Sequence, residues 1–182
     1  KNFMYIGSFF IRESDGINFA KLSRDKNIIH TDKIAGYNSI YGYHIVHGAL
    51  IILKFLKKIK FKKNYSFIKI QFQKGFKYDF NIKIKIIKKN KFKIIYKLIQ
   101  QNNTKANIEI GFLPEKYQIN NLRKITLKKK YFISKKRKRK FTGNHVPTEL
   151  KIALCYLSKY VGTIYPGKNS LINEINISNN NI

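Results

Sequence analysis

A strict alternation of apolar and polar residues constrains the fold of this chain more than any other feature of its sequence. Four segments, residues 67–72, 80–86, 91–99 and 106–112, alternate Ile or Phe with Lys or another polar residue. A period of two predicts strands with one buried and one solvated face, and the lysines occupy the solvated face. Short polar turns separate the segments, so we predict a four-stranded antiparallel meander.

A buried helix is predicted immediately before this meander. Residues 45–59 read IVHGALIILKFLKKI and are apolar nearly all round in their first turns. Further upstream we predict a short strand over residues 6–12, then a helix capped by Ser14 with Asp15 in its first turn, then a loop with short turns over residues 23–38. One long helix wrapped by a curved antiparallel sheet is an α+β architecture.

The charge balance is strongly positive, with 38 Lys and Arg against 9 Asp and Glu and a formal net charge of +29. Such a chain could bind nucleic acid by neutralising phosphates. The excess is mostly Lys spread along the chain, and the sequence has no RNP-type motif, GXXG clamp or zinc-finger spacing. For these two reasons we do not expect nucleic acid as the main ligand. A positive surface would equally attract CoA phosphates or an acidic carrier protein. The basic run at residues 128–140 is predicted to be a solvated edge or mobile loop, with a nucleic-acid patch or localisation signal as the alternative.

Cysteine content and hydropathy exclude further classes of protein. The single Cys155 rules out an internal disulfide framework and a cysteine-only zinc site. The most apolar stretch, residues 45–56, is too short to span a bilayer and contains His47 and Lys54. We therefore expect a cytoplasmic protein. Because the chain begins at Lys1 rather than Met, we expect it to be processed or cut from something longer.

One stretch carries a recognisable pattern of polar residues. Residues 19–32 read FAKLSRDKNIIHTD, and IVHG follows at residues 45–48. This resembles the MaoC-like, (R)-specific enoyl-CoA hydratase family of hotdog-fold acyl dehydratases, whose pattern is F-A-x-L-S-G-D, x-N-P-x-H-x-D and then P-I-V-H-G at the start of the central helix. The resemblance covers about residues 5–112. Arg24, Ile28 and His44 stand where that pattern has Gly, Pro and Pro, which puts the rigidity of the loop in doubt more than the chemistry.

The resemblance implies a hydro-lyase that reversibly hydrates trans-2-enoyl thioesters to (3R)-hydroxyacyl thioesters, with Asp25 and His30 as the catalytic pair. Adding water to a double bond conjugated with a thioester requires a base that activates water and an acid that protonates the α-carbon, and a carboxylate and an imidazole can share these tasks. Gly48, at the start of the helix, would offer its N–H to the thioester oxygen. Gly48 has no Cβ, so the substrate can approach its backbone closely.

Other polar residues of the motif are predicted to support the site. Asn27 and Ser23 would brace the loop, His47 would belong to the turn that opens the helix, and Asp32 would be a turn or cap residue. We expect no metal, since the histidines show no ligand spacing, and no cofactor beyond the CoA or phosphopantetheine that carries the substrate.

The last third of the chain is similar to part of a second hotdog. Residues 148–161 predict a helix, residues 165–169 a turn and residues 170–177 a strand, with Leu150 where the oxyanion Gly would fall. We predict a double hotdog with an incomplete second half: a catalytic-type unit over residues 1–112, a basic linker or edge over residues 113–144, and a partial non-catalytic unit over residues 145–182. The second unit would then be truncated or degenerate, and the acyl tunnel would run between the halves or across a homodimer.

Two alternatives to the hydratase remain open at this point. A non-catalytic hotdog that only binds acyl thioesters would explain the departures at Arg24 and Ile28. A basic nucleic-acid-binding protein would explain the excess of Lys, and it predicts steeply salt-dependent RNA binding.

Overall fold

The computed structural model describes residues 4–61, 65–112, 146–164 and 172–178. Within these ranges the chain forms strands β1 to β6 and helices α1 to α4. The strands are β1 (Met4–Phe9), β2 (Phe67–Phe72), β3 (Ile82–Lys89), β4 (Lys93–Gln100), β5 (Asn103–Gly111) and β6 (Glu174–Ser178). The helices are α1 (Glu13–Ser23), α2 (Lys33–Tyr37), α3 (Gly48–Lys58) and α4 (Thr148–Lys159), with a 3₁₀ turn at Ile28–His30 and a π-helical turn at Tyr160–Ile164. The basic run at residues 128–140, His145 and the predicted turn at residues 165–169 lie outside the described residues.

The described strands form one antiparallel sheet in the order β1-β3-β4-β5-β2-β6. The four strands predicted from the period of two are all present, with starts that differ by two or three residues for three of them. The predicted four-stranded meander is wrong, because only β3, β4 and β5 follow one another in the sheet, whereas β2 pairs with β5 and β6. Alternation along β3 is clear, since Ile82 and Ile84 are fully buried while Lys83 is exposed. Lys83 therefore lies on the solvent side of the strand, as expected for a half-buried sheet.

Helix α3 lies against the inner face of this sheet and supplies the centre of the core. It is apolar on nearly every side, which is why it is covered rather than exposed along most of its length. Its buried residues are Ala49, Leu50, Ile51, Ile52, Leu53, Phe55 and Leu56. They belong to the same core cluster as Ile68, Ile84, Leu98 and Ile108 of the sheet. This α+β arrangement of a long helix on an antiparallel sheet agrees with the predicted hotdog fold.

The starts of two helices differ from the prediction. Ser14 is not the N-cap of α1. The helix begins at Glu13, and Arg12 holds the cap position. The carboxylate of Asp15 accepts the backbone N–H of Arg12 at 3.2 Å, so the acidic residue of the first turn satisfies that donor instead. Helix α3 begins at Gly48 rather than at residue 45, since Ile45 forms an isolated bridge with Lys77.

Residues 146–164 and 172–178 pack onto the first part of the chain. Helix α4 contacts α1 and α3, and its Leu150 and Leu154 join the same core cluster. Strand β6 extends the sheet beyond β2, with Ile175 opposite Ile70. The division into two hotdog units stays a prediction. Among the described residues, none of the helices combines the length and apolar character needed to cross a membrane.

The core makes a direct prediction about stability. Phe55 is fully buried, with its ring 5.1 Å from that of Tyr96, whereas Phe80 is 42% exposed. Phe55→Ala should lower the free energy of unfolding by about 3–5 kcal/mol, because it removes a buried ring and leaves a cavity. Phe80→Ala is the matched control and should change it by no more than about 0.5 kcal/mol. Urea unfolding measures both, and equal effects would contradict the described packing.

Candidate active site

The loop after α1 carries the polar residues of the motif. Helix α1 ends at Ser23, whose hydroxyl donates to the carbonyl of Phe19 at 2.8 Å and accepts the N–H of Asp25 at 3.3 Å. Asn27 then caps the 3₁₀ turn by accepting the N–H of Ile29 at 3.4 Å. Short polar side chains of this kind satisfy the backbone donors that a tight turn leaves unpaired. The loop is thereby fixed on both sides of Asp25.

The carboxylate of Asp25 is the buried anion of this site. Its side chain is 2% exposed. Oδ1 accepts the N–H of Asn27 at 2.9 Å, and Oδ2 accepts the hydroxyl of Ser158 at 2.6 Å. Hydrogen bonds to an ionised acceptor are short and strong, and they offset part of the cost of removing the charge from water.

The imidazole of His30 lies beside this carboxylate. Its Nδ1 is 2.8 Å from the carbonyl oxygen of Ile45, and because a carbonyl can only accept, Nδ1 carries the proton. Nε2 is then the free acceptor. Burial lowers the pKa of His30 below its ordinary value, although the Ile45 carbonyl and the charge of Asp25 act in the opposite direction. His30 is therefore a neutral imidazole at neutral pH, with one nitrogen available to accept a proton.

His47 completes a cluster with these two residues. It precedes Gly48 at the start of α3, is fully buried, and stacks on His30 with ring centroids 4.0 Å apart. Burial, and then the proximity of His30, lower the pKa of His47 well below its ordinary value. Tyr78 lies behind the stack: its hydroxyl donates to the carbonyl of His30 at 3.0 Å and is 3.4 Å from Nδ1 of His47. The prediction that His47 belongs to the turn opening the helix is confirmed.

A cavity of about 70 Å³ opens beside this cluster. Residues that line it include Asp25, Asn27, His30, Gly48, Phe72 and Ser158. Gly48 is the first residue of α3, where backbone N–H groups have no partner within the helix. A Cβ at this position would lie 3.2 Å from the ring of Phe72, so glycine leaves space between the two. This volume exceeds the about 10–15 Å³ that a cavity needs to hold one water molecule.

The predicted site residues are brought together, each with a definable contact. Asp25, His30 and Gly48 line one cavity, and Asn27 and Ser23 hydrogen-bond to Asp25. Asp32 lies apart from them. Its carboxylate caps α2 by accepting the N–H of Ala35 at 2.9 Å, which confirms its prediction as a cap residue.

Sequence reasoning did not place Ser158 and Gly162 at Asp25. Both lie on the far part of the chain, in α4 and in the π-helical turn, and both line the cavity. A Cβ at Gly162 would overlap Oδ1 of Asp25, so only glycine fits this close approach. The sequence feature that could have linked Ser158 and Gly162 is their spacing of four residues, which places both on one face of a helix. The hydroxyl of Thr163 adds a further link by accepting the N–H of Lys26 at 2.8 Å.

The same cluster offers a set of metal ligands that the sequence spacing did not indicate. Ligand atoms of Asp25, His30 and His47 all lie within 4.8 Å of one another. The two rings are stacked, with only 28° between their planes. Lone pairs of nearly parallel neighbouring rings point side by side, whereas a tetrahedral ion needs ligands that converge on one point. The residues fit a metal poorly in this arrangement, and a site without metal stays our prediction.

Solved structures with a similar fold include proteins described as (R)-hydratases and one described as a MaoC-like dehydratase. No protein-family model and no curated protein sequence matches it. An (R)-hydratase from A. caviae involved in PHA biosynthesis is 16% identical, with a TM-score of 0.48, over 60% of this chain and 91% of its own. An R-hydratase from Pseudomonas aeruginosa is 17% identical, with a TM-score of 0.45, and the match covers 70% of this chain and 93% of the hydratase. A protein described as a MaoC-like dehydratase is 8% identical, with a TM-score of 0.45, and the match covers 60% of this chain and 41% of that protein.

Arg24, one of the departures from the family pattern, adopts a left-handed backbone with φ of 59° at the end of α1. A side chain at this conformation costs about 1–2 kcal/mol, and glycine avoids that cost. Arg24→Gly should therefore raise the free energy of unfolding by about 1 kcal/mol. Lys21→Gly, in the exposed last turn of the same helix, should lower it by about 1 kcal/mol. Denaturant unfolding of both variants measures the sign of each change in the free energy of unfolding. Two changes of the same sign would contradict the left-handed backbone at Arg24.

The two buried histidines predict how stability depends on pH. Their pKa values are lower in the folded chain than the value of about 6.5 expected when unfolded, so the unfolded state binds more protons as the pH falls. Stability should be complete above about pH 6.5 and fall below it, by up to about 1.4 kcal/mol per pH unit for each histidine. His47→Gln should make the free energy of unfolding depend less steeply on pH, whatever its effect on that free energy at pH 7.5.

Urea unfolding between pH 7.5 and pH 5 measures this slope. Lys88→Gln, at an exposed position of β3, is the control and should keep the slope of the original chain. If His47→Gln also kept that slope, His47 would not be the group that takes up the proton.

Proposed function

We propose that the protein is a hydro-lyase that reversibly hydrates trans-2-enoyl thioesters, carried on CoA or on an acyl-carrier protein, to (3R)-hydroxyacyl thioesters. The observation that carries this proposal is the placement of a buried carboxylate, a neutral imidazole and the first residue of a helix around one cavity. The carboxylate and the imidazole together match the activation of water, and the start of the helix matches the stabilisation of the thioester oxygen.

The first requirement is activation of water. A water between Asp25 and His30 can donate one hydrogen bond to the carboxylate and one to Nε2 of the imidazole. As the water oxygen bonds to the β-carbon, the pair accepts one of its protons. The same pair then delivers a proton to the α-carbon, so it ends the turnover in its starting protonation state. The low pKa of His30 favours this role, because the imidazole is unprotonated when the water arrives.

The second requirement is stabilisation of the thioester oxygen. Attack at the β-carbon moves negative charge through the conjugated system onto this oxygen, giving an enolate-like transition state. The N–H of Gly48 belongs to the group of unpaired donors at the start of α3, where the helix dipole also favours negative charge. Because the donor is fixed by the helix, it needs no reorganisation during the reaction.

The third requirement is a carboxylate held at one position. Asn27 and Ser158 bind different oxygens of Asp25, and Gly162 allows the π-helical turn to lie against it. Ser158 and Gly162 are therefore positioning residues for Asp25. They lie on the same chain, so we favour pairing within the chain over a homodimer as the way in which this cavity is closed.

Hydration of crotonyl-CoA tests the proposal through the loss of enone absorbance. Asp25→Asn and His30→Ala should each lower kcat at least about 100-fold, because each removes a group that exchanges a proton with water. Asp32→Asn is a matched control, since it alters a cap outside the cavity, and should stay within about twofold. Circular dichroism checks that the variants are folded.

Unchanged rates in Asp25→Asn and His30→Ala would remove this mechanism. Binding of crotonyl-CoA without turnover by the original chain would favour the non-catalytic thioester-binding alternative. Ser158→Ala should reduce kcat less than Asp25→Asn does, because it withdraws one hydrogen bond and leaves the carboxylate in place.

A further inference from the structure

Tyr78 contacts both stacked histidines, although it lies outside the motif that carries Asp25 and His30. It belongs to the segment between β2 and β3 and is only 4% exposed. A Cβ at Gly16 of α1 would overlap the Tyr78 hydroxyl, so glycine allows this helix to lie directly against it. The hydroxyl is therefore held between α1 on one side and the histidine stack on the other.

The Tyr78 hydroxyl has a single proton, and the carbonyl of His30 accepts it. The hydroxyl lies 3.0 Å from this carbonyl oxygen, which can only accept. Burial raises the pKa of Tyr78, so the hydroxyl keeps its proton throughout the neutral range. Towards Nδ1 of His47, 3.4 Å away, the same hydroxyl oxygen can then only accept. Nδ1 of a neutral His47 therefore carries the ring proton, and its Nε2 carries none.

Nε2 of His47 lies next to the carboxylate of Asp25. It is 4.0 Å from Oδ2, and although it is buried it has no hydrogen-bond partner among the described residues. An N–H at this position would donate to an ionised carboxylate at about 2.7–2.9 Å. The longer distance agrees with two acceptors that face each other without a proton between them. A buried nitrogen left without a partner is costly, and folded proteins contain few of them.

We propose that Tyr78 fixes the tautomer of His47, so that Nε2 of His47 is the acceptor for the proton that Asp25 takes up from water. The inference rests on the proposed function and adds two positioning residues to it. When the proton lies on Oδ2, the carboxyl group can donate a hydrogen bond to Nε2, and the repulsion between two acceptors becomes an attraction. An acceptor beside a carboxyl group favours its protonated form, which helps Asp25 to hold the proton until the α-carbon takes it.

Neither Tyr78 nor His47 is among the described residues that line the cavity. Both therefore act through Asp25 and His30 and not through contact with the substrate. This separates their effect on turnover from any effect on substrate binding.

NMR of protein labelled with the NMR-active nitrogen isotope in histidine measures the tautomer directly, because protonated and unprotonated ring nitrogens differ in chemical shift. The signals of His47 are assigned by their loss in His47→Gln. At pH 7.5 the original chain should have the His47 proton on Nδ1. Tyr78→Phe removes the acceptor of that proton, so His47 should change to the tautomer protonated at Nε2, which can donate to Asp25.

Tyr96→Phe is the matched control, because Tyr96 is buried to a similar degree but lies in β4, where its ring contacts Phe55. It should leave the tautomer of His47 unchanged. A proton on Nε2 of His47 in the original chain would overturn the inference, and this measurement needs no variant. A tautomer that stays the same in Tyr78→Phe, or that changes equally in Tyr96→Phe, would overturn it as well.

Hydration of crotonyl-CoA tests the effect on turnover. Tyr78→Phe should lower kcat at least about tenfold and leave KM within about twofold, since it changes the acceptor for the Asp25 proton and no contact in the cavity. Tyr96→Phe should leave both constants within about twofold. An unchanged kcat in Tyr78→Phe, or a change confined to KM, would contradict the positioning role. Absence of hydration in the original chain would overturn the proposed function only, because the tautomer is measured without substrate.

Discussion

The hydrogen bond between Ser158 and Asp25 joins two parts of the chain that are 133 positions apart, and the candidate site depends on it. A buried carboxylate is costly unless its oxygens are satisfied. Asn27 can serve one oxygen from within the loop, but the other is served from α4. The site is therefore complete only when α4 has docked, and the packing of α4 on α1 and α3 contributes to chemistry as well as to the core.

The stacked histidines illustrate how burial prepares a base. Two imidazoles with centroids 4.0 Å apart cannot both be charged at little cost, and both are buried, His47 fully and His30 with 8% exposure where it lines the cavity. Burial and mutual repulsion keep His47 neutral, while the Ile45 carbonyl fixes the proton of His30 on Nδ1. The backbone contact with Ile45 therefore determines which nitrogen of His30 is left to accept a proton. A histidine in the same loop without that carbonyl would have no preferred tautomer.

Local patterns predicted the strands and the buried helix, because each depends on neighbours in the sequence. They did not predict that β2 pairs with β5 and β6, since that pairing is between distant parts of the chain. The loop residues near Asp25 were expected from the resemblance to a known family. The start of α1 was missed because serine is a common N-cap residue, whereas here Arg12 holds the cap position and Asp15 accepts its backbone N–H. Ser158 and Gly162 were missed for a different reason. Their contact with Asp25 is set by how α4 docks, and a period of four residues indicates a shared face without indicating what that face touches.

Position, rather than number, distinguishes the lysines of this chain. Many lie on the solvent face of the sheet, and some have carboxylate partners, such as Lys93 with Glu109 at 2.8 Å and Lys54 with Asp15 at 3.1 Å. A partly buried ion pair of this kind implies no ligand, because each charge already has a partner. Lys74 differs because it lines the cavity and has no such partner among the described ion pairs. A net charge of +29 attracts any polyanion at long range, so the number of lysines alone does not identify a ligand.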